Sequence, residues 1–105
     1  MLEAQKFGEA LNDLSFDFYS GVPCSFLQYL INYAINEQDF VMAANEGDAV
    51  AICAGAYLGG RKSVFLCQNS GLANAVSSLT SLTYTFKIPV LGFVSLRGEE
   101  GLQDE

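Results

Sequence analysis

The stretch DFVMAANEGDAVAICAGAYL, residues 39–58, changes character at its middle. Residues 39–44 form an apolar, strand-like run, Asn45 is a residue type that caps helices, and from Glu46 to about Leu58 the chain is mostly Ala, Gly, Ile and Val at helix length. Strand, polar turn and helix follow one another without a spacer. Glu46 stands at the junction, a carboxylate between an apolar strand and a helix that is apolar nearly all round.

The same unit recurs on both sides. Upstream, FDFYS (16–20) reads as a strand, GVP turns the chain, and a helix follows near Ser25 to Ile35 with Pro23 close to its first turn. Downstream, SVFLCQ (63–68) leads through NSG into a helix from Leu72 to about Tyr84, and PVLGFVS (89–95) supplies another strand. Ahead of them all, Ala4, Phe7, Ala10, Leu11 and Leu14 recur at helical spacing over 3–14. The last two strands are apolar on successive residues, the pattern of strands covered on both faces. The expected fold class is therefore α/β, a parallel sheet flanked by helices, with no linker, low-complexity segment or internal repeat beyond that alternation.

The bulk properties narrow the functions. A chain of 105 residues makes one small domain, and half of its residues are apolar. A formal charge of -7, with only 5 Lys and Arg, disfavours nucleic acid and anionic membranes as partners. No apolar run approaches the roughly 20 residues of a spanning helix, and the acidic amphipathic start lacks a signal-peptide core, so a cytoplasmic location is expected. Cys24, Cys53 and Cys67 are odd in number, widely spaced and set among apolar neighbours, as for buried thiols in a reducing compartment. The absence of histidine removes the usual general base, the usual zinc ligand and any Ser-His-Asp triad within this chain.

In a parallel α/β sheet, ligands bind beyond the carboxyl ends of the strands. Four stretches fall there: SGVPCS (20–25), NEG (45–47), QNSGLAN (68–74) and LRGEEG (96–101). Arg61 and Lys62 precede a strand and belong to the opposite edge. Each candidate has a plain reading beside its chemical one. Glu46 in a first helical turn gains about 0.3–1 kcal/mol from the helix dipole, with Asn45 as cap. Yet Gly47, Ala51, Gly55 and Gly59 recur every fourth residue and allow another backbone to approach. A carboxyl beside such a helix is partly desolvated and suited to sharing a proton. QNSGLAN reads plainly as a helix start capped by Asn69 or Ser70 and eased by Gly71, and chemically as a set of donors facing the crevice. Arg97 is a surface residue near Glu99 and Glu100, but also the cation expected at the ligand-bearing edge. Cys24 has no histidine or evident lysine to lower its pKa and is read as packing. GAYLGG ends a helix instead of linking strand to helix, so it is no dinucleotide fingerprint.

Taken together, SGVPCSFL (20–27), AANEGDAVAICAGAYLGG (43–60), QNSGLANAVSSLTSL (68–82), IPVLGFVSLRGEEG (88–101) and the closing QDE resemble the pyrimidine-binding domain of thiamine diphosphate-dependent decarboxylases. The likeness runs in order along nearly the whole chain and points toward the phosphonopyruvate and sulfopyruvate decarboxylases. It implies that Glu46, at the position of the family's glutamate, hydrogen-bonds the N1′ nitrogen of the cofactor's aminopyrimidine and shares a proton with the ring. It implies further that Gly21, Val22 and Pro23 lie beside the cofactor, and that Asn69, Ser70, Leu72 and Asn74 line its pyrimidine and substrate side. The substrate would be a small anionic 2-oxo acid, with Arg97 placed to hold its phosphonate or sulfonate group.

The resemblance also implies what lies elsewhere. The family holds Mg2+ and the diphosphate through a separate domain bearing a GDG motif, which EGDA does not reproduce. Residues 1–105 are accordingly read as the N-terminal part of a pyrimidine-binding domain, dependent on a diphosphate-binding domain or subunit within a homo- or hetero-oligomer. Two other readings compete with a decarboxylase component: a non-catalytic assembly or relic domain of the same fold, and an acetolactate-synthase-like thiamine enzyme fragment.

Overall fold

The computed structural model describes residues 3–96. Arg97 and the closing QDE lie outside the described residues. Helix α1 (Ala4–Asp13) leads into strand β1 (Phe16–Gly21). A short 3₁₀ turn (Ser25–Leu27) then opens helix α2 (Gln28–Glu37). Strand β2 (Asp39–Met42) and helix α3 (Glu46–Leu58) form the next unit, and strand β3 (Lys62–Gln68) passes through helical segment 69–84 to strand β4 (Leu91–Ser95). All pairings are parallel, in the order β2-β1-β3-β4.

Two apolar layers cover the sheet, and alternation along β3 assigns residues to them. Val64 and Leu66 join Tyr19 beneath α1 and α2, packed by Leu11, Leu30, Ile31, Tyr33 and Ala34. Phe65 and Cys67 point the other way, against Ala49, Val50 and Cys53 of α3 and Ala75 of segment 69–84. Five successive buried residues in β3 bear out the expected two-sided coverage. β4 departs from it. As an edge strand it alternates between half-buried and exposed positions, with Leu91 and Phe93 against the first layer and Val94 44% exposed.

The helix expected from Leu72 to Tyr84 begins instead at Asn69 and is irregular throughout. A 3₁₀ stretch (Asn69–Ala75), a single α-helical turn (Val76–Ser78) and a π turn (Leu79–Tyr84) follow one another. Its threonines explain part of this. The hydroxyls of Thr80, Thr83 and Thr85 donate to the carbonyls of Val76, Leu79 and Thr80, competing with the backbone ladder. Asn69 and Ser70 therefore sit inside the first turn instead of capping it. Asn45 does cap α3 as expected: its side-chain oxygen accepts from the Asp48 amide at 2.9 Å.

The amino edge of the sheet is closed by charge pairing. Arg61 contacts Asp39 at 2.8 Å and Asp17 at 3.1 Å and lies over the Phe18 ring. Both carboxylates, Asp39 first, raise its pKa further. Lys62 donates to the Leu14 carbonyl. Beneath α1 and α2 the Tyr19 hydroxyl is fully buried with no partner among the described residues, and burial beside Tyr33 pushes its pKa to about 12. Among the described residues no helix is long and apolar enough to cross a membrane.

Candidate active site

Three strand ends meet at the carboxyl edge: Gly21 pairs with Met42 on one side and Leu66 on the other. A Cβ on Gly21 would collide with the Leu66 carbonyl oxygen, so glycine permits this close approach of β1 to β3. Beyond Gly21 the chain turns through half-buried Val22 and exposed Pro23. Pro23, Cys24, Ser25, Gln28 and Met42 border a cleft of about 570 Å³ on the α2 side. Cys24 reaches across to β4, its sulfur 3.7 Å from the Ser95 hydroxyl.

On the other face, Glu46 is the first residue of α3 and is half-buried. The sequence brings it here because β2 ends at Met42 and the capped turn at Asn45 starts the helix over the sheet. Its carboxylate does not project freely: Oε1 accepts a hydrogen bond from Asn74 Nδ2 at 3.0 Å. The rest of the group lies over Gly71, where any Cβ would overlap Oε2 and the carboxyl carbon. Among the described residues no ion pair reaches Glu46.

Helix α3 and segment 69–84 are pinned together at this point. The Ser78 hydroxyl donates to the Gly47 carbonyl at 2.9 Å, and a Cβ on Gly47 would stand 2.8 Å from the Asn74 carbonyl oxygen. The close approach expected of the small-residue stripe is thus realised at Gly47. Farther along, Ala51, Gly55 and Gly59 are exposed, and a Cβ on Gly55 would meet nothing within 4 Å beyond its own helix.

The other expected site residues take distinct places. Asn69 is half-buried at the first position of the 3₁₀ stretch, Ser70 is exposed and accepts from Gln68 Nε2, and Leu72 is 37% exposed. Glu46, Gly71 and Asn74 are in contact, whereas Pro23 borders the cleft on the opposite face. Arg97 lies outside the described residues. Neither the Glu46–Asn74 bond nor the Ser78 anchor was expected from sequence; the available signal was two glycines, 47 and 71, each just beyond a strand. The buried thiols are inert: burial, followed by the effects of Glu46 and Cys24, pushes Cys67 to about 11, and burial pushes Cys53 to about 11. Among the described residues no cluster of three metal-ligating side chains forms.

The arrangement offers a carboxylate held by an amide, with one oxygen fixed and the other without a described partner, at the edge where such sheets bind ligands. A heteroaromatic nitrogen that shares a proton fits that donor set.

Comparison with known proteins gives a consistent picture. No protein-family model matches the chain. It is 40% identical over 93 residues to the sulfopyruvate decarboxylase subunit alpha of Methanococcus maripaludis, covering 87% of this chain and 56% of that protein. It is 38% identical over 107 aligned positions to the phosphonopyruvate decarboxylase of Streptomyces viridochromogenes, covering 100% of this chain and 27% of that one. The chain thus spans about half the length of the first relative and about a quarter of the second. Its fold matches the solved structure of benzoylformate decarboxylase from Polynucleobacter necessarius, with a TM-score of 0.80 and 23% identity over 95% of this chain and 19% of the other.

Proposed function

We propose that this chain, a homologue of the sulfopyruvate and phosphonopyruvate decarboxylases, is the pyrimidine-binding component of a thiamine diphosphate-dependent decarboxylase. Residues 1–105 form the N-terminal part of that domain. The reading takes the substrate to be sulfopyruvate or phosphonopyruvate, and the products to be carbon dioxide and the corresponding aldehyde. When bound, thiamine diphosphate supplies the nucleophilic carbon and the electron sink that decarboxylation of a 2-oxo acid requires.

The observation that carries the proposal is Glu46 itself, half-buried at the carboxyl edge and held by Asn74 over Gly71. Its role is to accept and return a proton at the cofactor's N1′ nitrogen. Gly21, Val22 and Pro23 border the cofactor from the end of β1, while Asn69, Ser70, Leu72 and Asn74 line it from segment 69–84. Arg97 holds the sulfonate or phosphonate. Mg2+ and the diphosphate are held by a further domain or subunit. That partner covers the exposed face of α3 and its neighbours, where Leu58 is 72% and Val76 51% exposed. The subunit designation of the sulfopyruvate relative supports a partnered assembly.

The test uses the complete protein with its partner, supplied with thiamine diphosphate and Mg2+. Carbon dioxide and aldehyde should form from sulfopyruvate or phosphonopyruvate, and Glu46→Gln should lower turnover by about 10²-fold or more, the scale of losing acid–base assistance. Undiminished turnover in Glu46→Gln defeats the proposal.

A further inference from the structure

We infer that Asn74 is a positioning residue, acting through Glu46 to decide which carboxylate oxygen is presented, and that Gly71 supplies the surface against which this happens. The inference rests on the reading of Glu46 given above. It departs from that reading in taking Asn74 out of the row of groups that simply line the ligand.

Three contacts carry it. The Asn74 amide commits a hydrogen to Oε1 at 3.0 Å, which leaves Oε2 as the oxygen without a partner among the described residues. Gly71 lies directly beneath that carboxylate, and only a residue without a side chain leaves the space that Oε2 occupies. The Ser78 hydroxyl, bonded to the Gly47 carbonyl at 2.9 Å, ties segment 69–84 to the first turn of α3. Asn74 and Glu46 therefore sit on elements fixed to each other at that turn. A glutamate has three side-chain torsions, and on an open helix start its carboxylate would sample several rotamers. Here one oxygen is anchored from one side and the group is floored from another. Because its donor is an amide, Asn74 orients the carboxylate without neutralising it, as a lysine would.

The chemistry predicts an ordering that simple packing does not. Asn74→Ala removes the anchor, whereas the isosteric Asn74→Asp replaces donor by acceptor and sets two carboxylates against each other. In the complete, partnered protein, kcat should fall about 10-fold in Asn74→Ala and about 100-fold in Asn74→Asp, with KM for the 2-oxo acid within about 2-fold of the parent. A second readout needs no cofactor. Combining Glu46→Gln with Asn74→Asp restores a donor–acceptor pair with its direction reversed, so the double variant should melt above the temperature expected from adding the two single shifts.

Equal kcat in the two Asn74 variants, or an effect confined to KM, overturns the inference in an active enzyme. If the parent protein neither binds thiamine diphosphate nor decarboxylates, the functional proposal falls, and the melting cycle alone decides the positioning claim. Additive melting shifts, or a double variant that melts below the additive expectation, overturn it, and a double variant that melts above it upholds the Glu46–Asn74 coupling as a property of the fold.

Discussion

At the amino edge of the sheet Arg61 stands between two carboxylates, while at the carboxyl edge Glu46 stands against an amide and a glycine. Both edges hold acidic side chains beside the same four strands, but only one satisfies them with opposite charge. Pairing at the amino edge fixes strand starts, since Asp17, Asp39 and Arg61 belong to β1, β2 and the turn before β3. A carboxylate neutralised in that way has little left to offer a ligand. Holding Glu46 by a neutral donor orients it and keeps its charge available, the condition a proton-sharing group needs. One edge is built for cohesion and the other, under the proposed function, for chemistry.

The contrast depends on a shared interior, so the largest expected effect comes from removing that interior. Leu66 is fully buried, and its carbonyl faces Gly21 across the β1–β3 pair. Leu66→Ala should cost about 3 kcal/mol in denaturant unfolding, through lost burial and the cavity left behind. Both edges should weaken together, seen as matching losses of hydrogen-exchange protection in β1 and β3. A loss confined to one edge would show that the two do not rest on one core.

Gly71→Ala separates the edges more finely. The three atoms nearest the new Cβ all belong to the Glu46 side chain, which is flexible and able to swing away, so unfolding free energy should change by less than about 1 kcal/mol. Under the proposed function, turnover of the complete, partnered protein should nevertheless drop about a hundredfold, because the carboxylate no longer sits where Asn74 holds it. Full activity in a well-folded Gly71→Ala protein would leave the carboxyl edge with no geometric requirement.

Much of this was legible in the sequence. The parallel α/β fold, the start of α3 at Glu46, the Asn45 cap and the placement of Arg61 and Lys62 at the far edge all follow from where apolar runs stop and turn residues begin. These are local signals. Segment 69–84 was less legible, because Ser and Thr hydroxyls that bond backbone carbonyls disturb a helix whose apolar spacing looks ordinary. The exposed face of β4 was missed for another reason: an apolar residue declares that it prefers burial, not whether this chain supplies the cover. The Glu46–Asn74 bond spans 28 residues, and no spacing rule connects two helix starts at that distance. What could have been read is the pair of glycines that lets those starts touch.

The buried thiols give a way to sharpen the comparison by titration. Cys53 and Cys67 both ionise near pH 11 in the folded chain, against an ordinary value of 9.0, with burial the leading cause in each. The unfolded chain therefore loses these protons first. Their contribution is fully present below about pH 9 and is lost as pH rises toward 11, by roughly 1 kcal/mol per thiol at pH 10. Glu46 adds to the upward shift of Cys67, after burial, whereas Cys53 sits farther from that edge with its sulfur against the Val64 carbonyl. In Glu46→Gln the Cys67 thiol should ionise at lower pH while Cys53 is unchanged, as followed by thiolate absorbance in single-cysteine backgrounds. Equal movement of both thiols would mean that the carboxyl edge does not reach Cys67 selectively.

The smallest effect belongs to the amino edge. Arg61 is 38% exposed and its partners Asp17 and Asp39 are 45% and 66% exposed, so solvent screens each pair to within the few tenths of a kcal/mol to about 1 kcal/mol typical of surface bridges. The guanidinium also donates to the Asp17 carbonyl and stacks over Phe18, contacts that salt does not weaken in the same way. Arg61→Ala should lower unfolding free energy by about 1 kcal/mol, and only part of that loss should disappear in molar salt. Under the proposed function, turnover of the complete, partnered protein should stay at the parent level, because the whole length of the strands separates Arg61 from Glu46. Lost activity without lost stability in Arg61→Ala would erase the division of labour between the edges, since the charge pairs would then serve the chemistry and not the cohesion of the strand starts.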